Sequence, residues 1–254
     1  VHHHPHVEKK SFKEYVLEGL MIFLAVTMGF IAENIRENIT ERERAKVFAA
    51  AMIKDLKADT AEIINYKKYF TNAINQVDTL MQLLSVSEPR NIPSGKLYWY
   101  GLFGGAHRYF IPNDATFQQM KSSGTLRYFQ KSVANDVAEY DKLCRLMLAN
   151  DENEIGIYTE VRKSRAEIFD FKYNDIANNI IQDFYKNGSK QKVLDSFFVS
   201  NPPLLSYNKV LFNKYVELVR SRFMNSKITY ADALLNQAKL LLNELNKEYH
   251  IEKE

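Results

Sequence analysis

The feature that most constrains this chain is the apolar stretch from Tyr15 to Ala32. Residues 19–32 carry no charge, and the longer stretch contains a single carboxylate, Glu18. A bilayer core is about 30 Å thick and an α-helix rises about 1.5 Å per residue, so about 17–25 mostly apolar residues cross it. The sequence therefore predicts one membrane-spanning helix over residues 15–34, with everything that follows on one side of a lipid bilayer.

An apolar segment near an N-terminus is either a cleaved signal peptide or a retained anchor. Three lysines precede it, as they do in both cases. Residues 29–34, Gly-Phe-Ile-Ala-Glu-Asn, contain no small-x-small cleavage pattern, and this favours an anchor. Basic residues are nearly balanced on its two sides and do not set its orientation. The short tail ahead of a large domain favours an N-terminus that stays in the cytoplasm.

The charged residue of the span, Glu18, has two interpretations. A carboxylate within a membrane is costly and often functional, but near the end of a span it can reach the headgroups or pair with the preceding lysines. The alternative turns Glu18 into the interface of an oligomer that conducts protons or ions. Small residues that would permit a second copy of the helix to pack closely lie at Gly19, Thr27 and Gly29.

A histidine-rich tail, residues 1–14, precedes the span, with imidazoles at His2, His3, His4 and His6. Imidazole binds zinc, copper and nickel, so the tail is a candidate metal site. The competing interpretations are a disordered tail or an expression tag, although a tag would not contain Pro5. The tract lacks the cysteine or carboxylate partners of a closed structural site. We predict no resident cofactor, the exception being a divalent metal at this tail.

Residues 35–86 contain neither proline nor glycine, and their apolar residues recur mostly at three-, four- and seven-residue steps. That period is typical of an amphipathic helix. Residues 33–46 are rich in charges of both signs and predict a solvated stalk. Only 9 glycines and 6 prolines occur in 254 residues, which favours long helices over a turn-rich β fold. The predicted fold is all-α, with the membrane helix continuing into an up-and-down bundle of long helices.

Residues 87–112 form the most unusual segment, predicted as a glycine-rich aromatic loop. It holds the only tryptophan and several glycines. Aromatic side chains with polar tips are common in binding sites, and a neighbouring His-Arg pair is suited to an anion. The alternative is a connection whose aromatic rings plug one end of the bundle. The candidate ligand- or partner-binding residues are Trp99, Tyr100, Phe103, His107, Arg108 and Tyr109.

Residues 113–250 are predicted to complete the bundle. Residues 206–223 and 229–249 show helical periodicity and predict an antiparallel pair, an αα-hairpin. The one cysteine, Cys144, lies on an apolar helical stretch and is interpreted as a buried thiol.

Two segments resemble a known group. Residues 2–33, with the runs HHHPH, EKKSFKEY and LMIFLAVTMGFIAE, look like the start of uncharacterised single-pass membrane proteins of Bacteroidota. Residues 114–127, DATFQQMKSSGTLR, are similar to a second element of that group. The resemblance implies a location in a bacterial inner membrane and a single-pass architecture. It implies no catalytic residue and no activity. The short tail ahead of the span, and not the resemblance, favours a helical domain in the periplasm.

The residue types argue against several classes of function. The sequence contains no HExxH, GxSxG or Walker motif, so we predict that the chain is not an enzyme. A net charge of +3 does not favour a nucleic-acid partner. The first hypothesis is a structural or interaction protein that forms a homo-oligomer or holds a membrane-protein partner. The alternatives are a module that senses a small ligand outside the cytoplasm, and a conducting oligomer that uses Glu18.

Overall fold

A computed structural model describes residues 11–187, 191–224 and 227–251. Within these ranges the chain contains helices and no strand, so the predicted fold class is confirmed. The helices are α1 (Phe12–Val86), α2 (Ser94–Leu102), α3 (Ala115–Ser122), α4 (Lys131–Ala166), α5 (Phe171–Asn187), α6 (Gln191–Val199), α7 (Lys209–Met224) and α8 (Lys227–Tyr249). Short 3₁₀ turns lie at Pro89–Asn91, Phe103–Gly105 and Thr125–Tyr128.

Helix α1 includes both the apolar stretch and the first helix of the bundle. It is 75 residues long, which at about 1.5 Å per residue gives about 110 Å. Its start is capped by the Glu14 carboxylate, which accepts a hydrogen bond of 2.7 Å from the Ser11 backbone N–H. Its end falls at Val86, shortly before Pro89, because proline cannot continue the hydrogen-bonding ladder. The apolar stretch and the bundle are therefore joined by uninterrupted helix.

Helix α4 runs parallel to α1 through the bundle. The Tyr140 hydroxyl of α4 donates a 2.6 Å hydrogen bond to Asp59 of α1, and Tyr66 of α1 donates to Asp151 of α4 at 3.1 Å. Residue numbers therefore rise together along the two helices. The two hydrogen bonds hold the long helices in register, since each buried carboxylate must keep its partner.

Helices α7 and α8 run in the opposite direction, one after the other. Lys209, at the start of α7, pairs with Glu88 beyond the far end of α1, at 2.7 Å. The ring of Tyr249, at the end of α8, packs against Phe129 near the start of α4. The prediction of an αα-hairpin is therefore wrong. The two helices are stacked along the bundle because each covers a different half of α1 and α4.

The core of the bundle consists of two hydrophobic clusters, one for each half. The stalk-side cluster lies between α1, α3, the first half of α4, and α8. The distal cluster lies between the end of α1, α2, the end of α4, and helices α5 to α7. Helix α7 ends where the two clusters meet, since Phe223 packs against both of them. Cys144 lies in the stalk-side cluster and is buried, as its position on an apolar face predicts.

The segment predicted as a loop, residues 87–112, contains helix α2 and the 3₁₀ turn after it, so that prediction is corrected. The glycines in this segment permit close packing and are compatible with a helix. A Cβ at Gly101 would lie 2.6 Å from the Phe169 ring, and one at Gly104 would overlap the Tyr215 hydroxyl. Neither glycine has a positive φ. Helix α2 and the turn after it therefore lie unusually close to their neighbours.

The tightest glycine contact in this segment is at Gly95, and it predicts the effect of adding one methyl group. A Cβ at Gly95 would overlap the Phe197 carbonyl oxygen, which is backbone and cannot rotate away. We expect Gly95→Ala to lower the free energy of unfolding by about 3 kcal/mol through overpacking. Gly156, in α4, has no neighbour within 4 Å, so Gly156→Ala is expected to raise it by about 0.5–1 kcal/mol. Urea unfolding followed by circular dichroism measures both, and a Gly95→Ala variant as stable as the wild type would contradict this packing.

Candidate functional site

A groove of about 1530 Å³ opens between α1, the turn after α2, and α5. It is larger than the usual pocket for a small molecule, which is about 300–1,000 Å³. One wall is the α1 face from Asn65 to Ala73, and the opposite wall is the α5 face from Phe171 to Lys186. Residues between Leu102 and Arg108, together with the side chain of Arg165, form the rest. The groove therefore presents an elongated surface between two helices.

The lining of the groove is strongly biased towards positive charge. One carboxylate, Asp175, lines it, and its cations are Lys68, Arg108, Arg165, Lys172 and Lys186. Arg108 pairs with Glu62 at 2.8 Å, which satisfies part of its guanidinium. The other four cations have no ion pair among the described residues. A positively charged concave surface attracts anions.

Arg165 is the most enclosed of these four cations. Its side chain is half-buried at the end of α4, and its Nη1 would be 2.7 Å from a Cβ at Gly105. The absence of a side chain at Gly105 therefore leaves space for the guanidinium. Within the described chain Arg165 donates no hydrogen bond from its side chain. A partly desolvated guanidinium without an acceptor is unfavourable, and an anion in the groove would remove that cost.

The six residues predicted from the aromatic segment are divided between the core, the groove and the surface. Trp99 is buried in the distal cluster, where its indole N–H donates to Gln76 at 3.2 Å, and Tyr100 packs on Phe198. Phe103 and Arg108 line the groove. The remaining two, His107 and Tyr109, contact each other beside the groove, and Tyr109 is 46% exposed.

His107 links the groove region to a buried charge cluster. Its ring stacks on Tyr158 with centroids 4.7 Å apart, and its Nδ1 lies 3.5 Å from Nη2 of Arg222. Burial and the positive charge of Arg222 lower the pKa of His107 below 6.5. Lys227 acts in the same direction, while the carboxylates of Glu154 and Asp151 oppose it. The structure therefore favours the neutral imidazole.

The lowered pKa of His107 predicts that the stability of the folded chain depends on pH. A lowered pKa in the folded state means that the unfolded chain binds the proton more tightly. The contribution of neutral His107 to the free energy of unfolding is therefore fully present above pH 6.5. It is lost as the pH falls from 6.5 through the pKa of His107 in the folded state. We expect the melting temperature of the wild type to fall relative to that of His107→Gln between about pH 6.5 and 5. Parallel melting curves of the two proteins over that range would contradict this assignment.

The buried charge cluster consists of Asp151, Glu154, Arg222 and Lys227, each at most 4% exposed. Arg222 is bonded to Glu154, and Lys227 pairs with both Glu154 and, at 2.9 Å, Asp151. Arg222 also donates to the Gly104 carbonyl oxygen at 2.9 Å. The two positive and two negative charges balance, and each ion has at least one opposite partner. The cluster therefore has the composition of a structural ion network.

The cluster also fixes the surrounding elements. The Tyr66 hydroxyl of α1 bonds to Asp151, and burial raises the pKa of that hydroxyl well above its usual value. The cations lie over aromatic faces as well, with Arg222 4.8 Å from the Tyr158 centroid and Lys227 4.6 Å from that of Phe70. The network thus joins α1, α4, the end of α7 and the start of α8 at the boundary between the two hydrophobic clusters.

A second buried carboxylate, Asp59, has a structural role of the same kind. Its oxygens accept hydrogen bonds from the backbone N–H and side-chain amide of Asn113, at 2.9 and 2.7 Å, and from Tyr140. This arrangement ties the segment before α3 to α1.

Burial raises the pKa of the nearby Cys144 thiol to about 12, so the thiol stays protonated and is a poor nucleophile.

Of the other predicted site residues, Glu18 lies apart from the groove. Glu18 is on the exposed N-terminal part of α1, far along the helix from the groove wall that begins at Asn65. The predicted metal ligands His2, His3, His4 and His6 lie outside the described residues. Within the described ranges, no group of three or more His, Cys, Asp or Glu side chains is arranged to hold a metal ion.

Comparisons with protein families, with curated proteins and with solved structures gave no match to this chain. The resemblance to single-pass proteins of Bacteroidota therefore stays a prediction.

Proposed function

We propose that this chain is a single-pass membrane protein whose helical bundle holds a partner protein at the membrane. The observation that carries the proposal is the first part of α1. From Phe12 to Arg44 no residue is buried, although much of this segment is apolar, and the first buried residue is Ala45. An apolar surface of this size is unfavourable in water, and a lipid bilayer would cover it on all sides.

The composition of α1 divides this exposed part into a span and a stalk. It is the one described helix that is long and apolar enough to cross a membrane. Residues 33–44 are mostly polar and extend for about 18 Å at the rise of an α-helix. Because α1 continues without a break into the core, the bundle would be held at a defined distance from the bilayer. We propose that the bundle lies in the periplasm of a bacterial inner membrane, the location expected from the sequence.

Self-association is a further part of this proposal. The exposed part of α1 includes the small residues Gly19 and Gly29, and a Cβ at either would meet nothing within 4 Å. At either glycine a second copy of the helix could approach closely, and the ten-residue spacing puts the two about 80° apart around the helix axis. Light scattering of the full chain in detergent measures its mass. A multimer is the expected result, and a monomer would remove the homo-oligomer from the proposal while leaving the anchor intact.

Alkaline carbonate extraction of membranes from cells that express the full chain tests the anchor. An integral protein stays in the membrane pellet, because the cost of exposing its span to water is not changed by high pH. We expect the chain in the pellet and its release by detergent. Release of the chain by carbonate alone would contradict the proposed function.

A ligand-sensing module outside the cytoplasm is the second candidate function, and the groove is the observation that favours it. The groove contains aromatic, amide and cationic side chains, which are the groups that bind polar ligands. Its size and open, elongated form suit a segment of another chain better than a small molecule. We therefore treat the groove as part of the interaction function.

A further inference from the structure

We propose that the groove between α1 and α5 binds an extended acidic peptide segment of a partner protein. This inference rests on the proposed function and deepens it by assigning a site and a chemical class to the partner. Three features of the groove support it: the excess of positive charge, the row of amide side chains along α5, and the distance of the groove from the apolar span.

The first feature is charge. Five cations and one carboxylate line the groove, and Arg165 has no acceptor within the described chain. Lys68 and Lys172 are exposed on opposite walls, so a chain lying between them would meet positive charge on both sides. Glu and Asp side chains of a bound peptide would supply acceptors for these cations.

The second feature is the row of carboxamides on α5. Asn174, Asn178 and Gln182 are four residues apart and all line the groove. Four helical residues rise about 6 Å, close to the advance of about 6.6 Å made by two residues of an extended chain. Each carboxamide offers acceptor and donor groups, which are the groups that pair with a peptide backbone. The row therefore matches alternate residues of an extended peptide.

The carboxamides are available for this role. Within the described residues, the side chains of Asn174, Asn178 and Gln182 make no hydrogen bond. The Oδ1 atom of Asn174 is buried and has no donor there, so in this orientation Asn174 offers a bound peptide its amide N–H donors. At the end of the groove, Tyr185 donates to Asn72 across the two walls at 3.3 Å, which closes that end. From Asn174 to Lys186 the wall is about 18 Å long, enough for about five or six extended residues.

The third feature is the distance from the apolar span. Asn65, the first groove residue on α1, is separated from the end of the span at Ala32 by continuous helix. That separation is about 50 Å along the helix axis. The headgroups of the proposed membrane would therefore lie far from the groove, which favours a segment of a protein over a lipid.

Fluorescence anisotropy with the full chain in detergent micelles tests this inference. The probe is a fluorescein-labelled peptide of about eight residues in which Glu and Thr alternate, a pattern that favours an extended chain. A Lys-Thr peptide of the same length is the charge control, and an oligogalacturonate of equal charge tests an acidic sugar. We expect saturable binding of the Glu-Thr peptide alone, weakened by added salt because the contacts are between charges.

Variants locate the binding in the groove. Since a hydrogen bond to a charged group contributes strongly to binding, Arg165→Gln is expected to weaken it about tenfold or more. Asn178→Ala is expected to weaken it about fivefold. The matched control is Arg162→Gln, the same change about one turn earlier on α4, where the side chain is exposed and outside the groove. It is expected to bind as the wild type does.

The result that would overturn the inference is no saturable binding of the acidic peptide, or equal loss in Arg165→Gln and Arg162→Gln. Equal binding of the oligogalacturonate would overturn the assignment to a peptide. If Arg165→Gln does not fold, Lys68→Gln combined with Lys172→Gln replaces it, because both lysines are exposed. Peptide binding in detergent does not depend on insertion in a bilayer. A negative binding result would therefore contradict the peptide site alone, whereas release of the chain by carbonate would contradict the membrane anchor.

Discussion

Replacing Arg222 with methionine is expected to lower the free energy of unfolding by about 3–5 kcal/mol, because it leaves a buried carboxylate with too little positive charge. Arg222 is fully buried, and it bonds to Glu154 and to the Gly104 carbonyl oxygen. For a domain of this size the loss corresponds to a melting temperature lower by about 10 °C. Thermal unfolding followed by circular dichroism measures it.

Two further variants separate charge balance from packing. Arg222→Met combined with Glu154→Met removes one charge of each sign and leaves the Lys227–Asp151 pair intact, so we expect it to recover part of the stability. Arg220→Met changes an exposed arginine of the same helix and is expected to have little effect. A single Arg222 variant as stable as the wild type, or a double variant less stable than the single one, would contradict this account of the network.

Introducing two arginines into the span is expected to prevent stable membrane integration. Leu24 and Val26 lie near its centre and are 46% and 53% exposed in the isolated chain. One arginine at the centre of a span raises the free energy of membrane insertion by about 2.5–3.5 kcal/mol. Leu24→Arg with Val26→Arg is therefore expected to raise it by about 5–7 kcal/mol. We expect most of this variant to leave the membrane pellet in carbonate.

The matched control places the same two residues on the stalk. Ile35 and Ile39 are also exposed on α1 but follow the uncharged stretch. Ile35→Arg with Ile39→Arg is therefore expected to stay in the membrane, since its charges lie outside the hydrocarbon. Equal extraction of the two variants would show that the apolar stretch is not specifically in lipid.

The long helices are predictable from the sequence because their signals are local and repeated. The absence of proline and glycine from residue 35 to residue 86, with apolar residues at helical spacing, is sufficient to predict most of α1. Helix α2 is not predictable in this way, because glycine and aromatic residues together are typical of loops. At Gly101 and Gly104 the glycines instead make room for Phe169 and Tyr215, which are distant in sequence.

The buried charges are not among the predicted residues, although the sequence contains a signal for them. Asp151 and Glu154 continue the three- and four-residue spacing of the buried side chains before them on α4, and Asp59 does so on α1. A charged residue in phase with an apolar face indicates a buried ion that needs a partner. Which partner it has depends on how the helices pack, so Arg222 and Lys227 could not be paired with them from spacing alone.

The residues of the groove, too, could be predicted from the sequence only in part. The predicted binding residues Phe103 and Arg108 do line it, but Arg165 and the α5 carboxamides are not among those predicted. These residues belong to different elements and come together through tertiary packing. The four-residue spacing of Asn174, Asn178 and Gln182 is visible in the sequence, but only the packing of the bundle gives that row a facing wall on α1.

Cysteine labelling in sealed membrane vesicles is the most direct test of a single span followed by a bundle on one side of the membrane. A Cys144→Ala background removes the one native cysteine, and single cysteines are placed at Leu24, Asn38 and Lys163. With a membrane-impermeant maleimide, we expect no labelling at position 24 and labelling at positions 38 and 163 from the same face. Labelling at position 24 in intact vesicles, or at positions 38 and 163 from opposite faces, would contradict a single span followed by a bundle on one side.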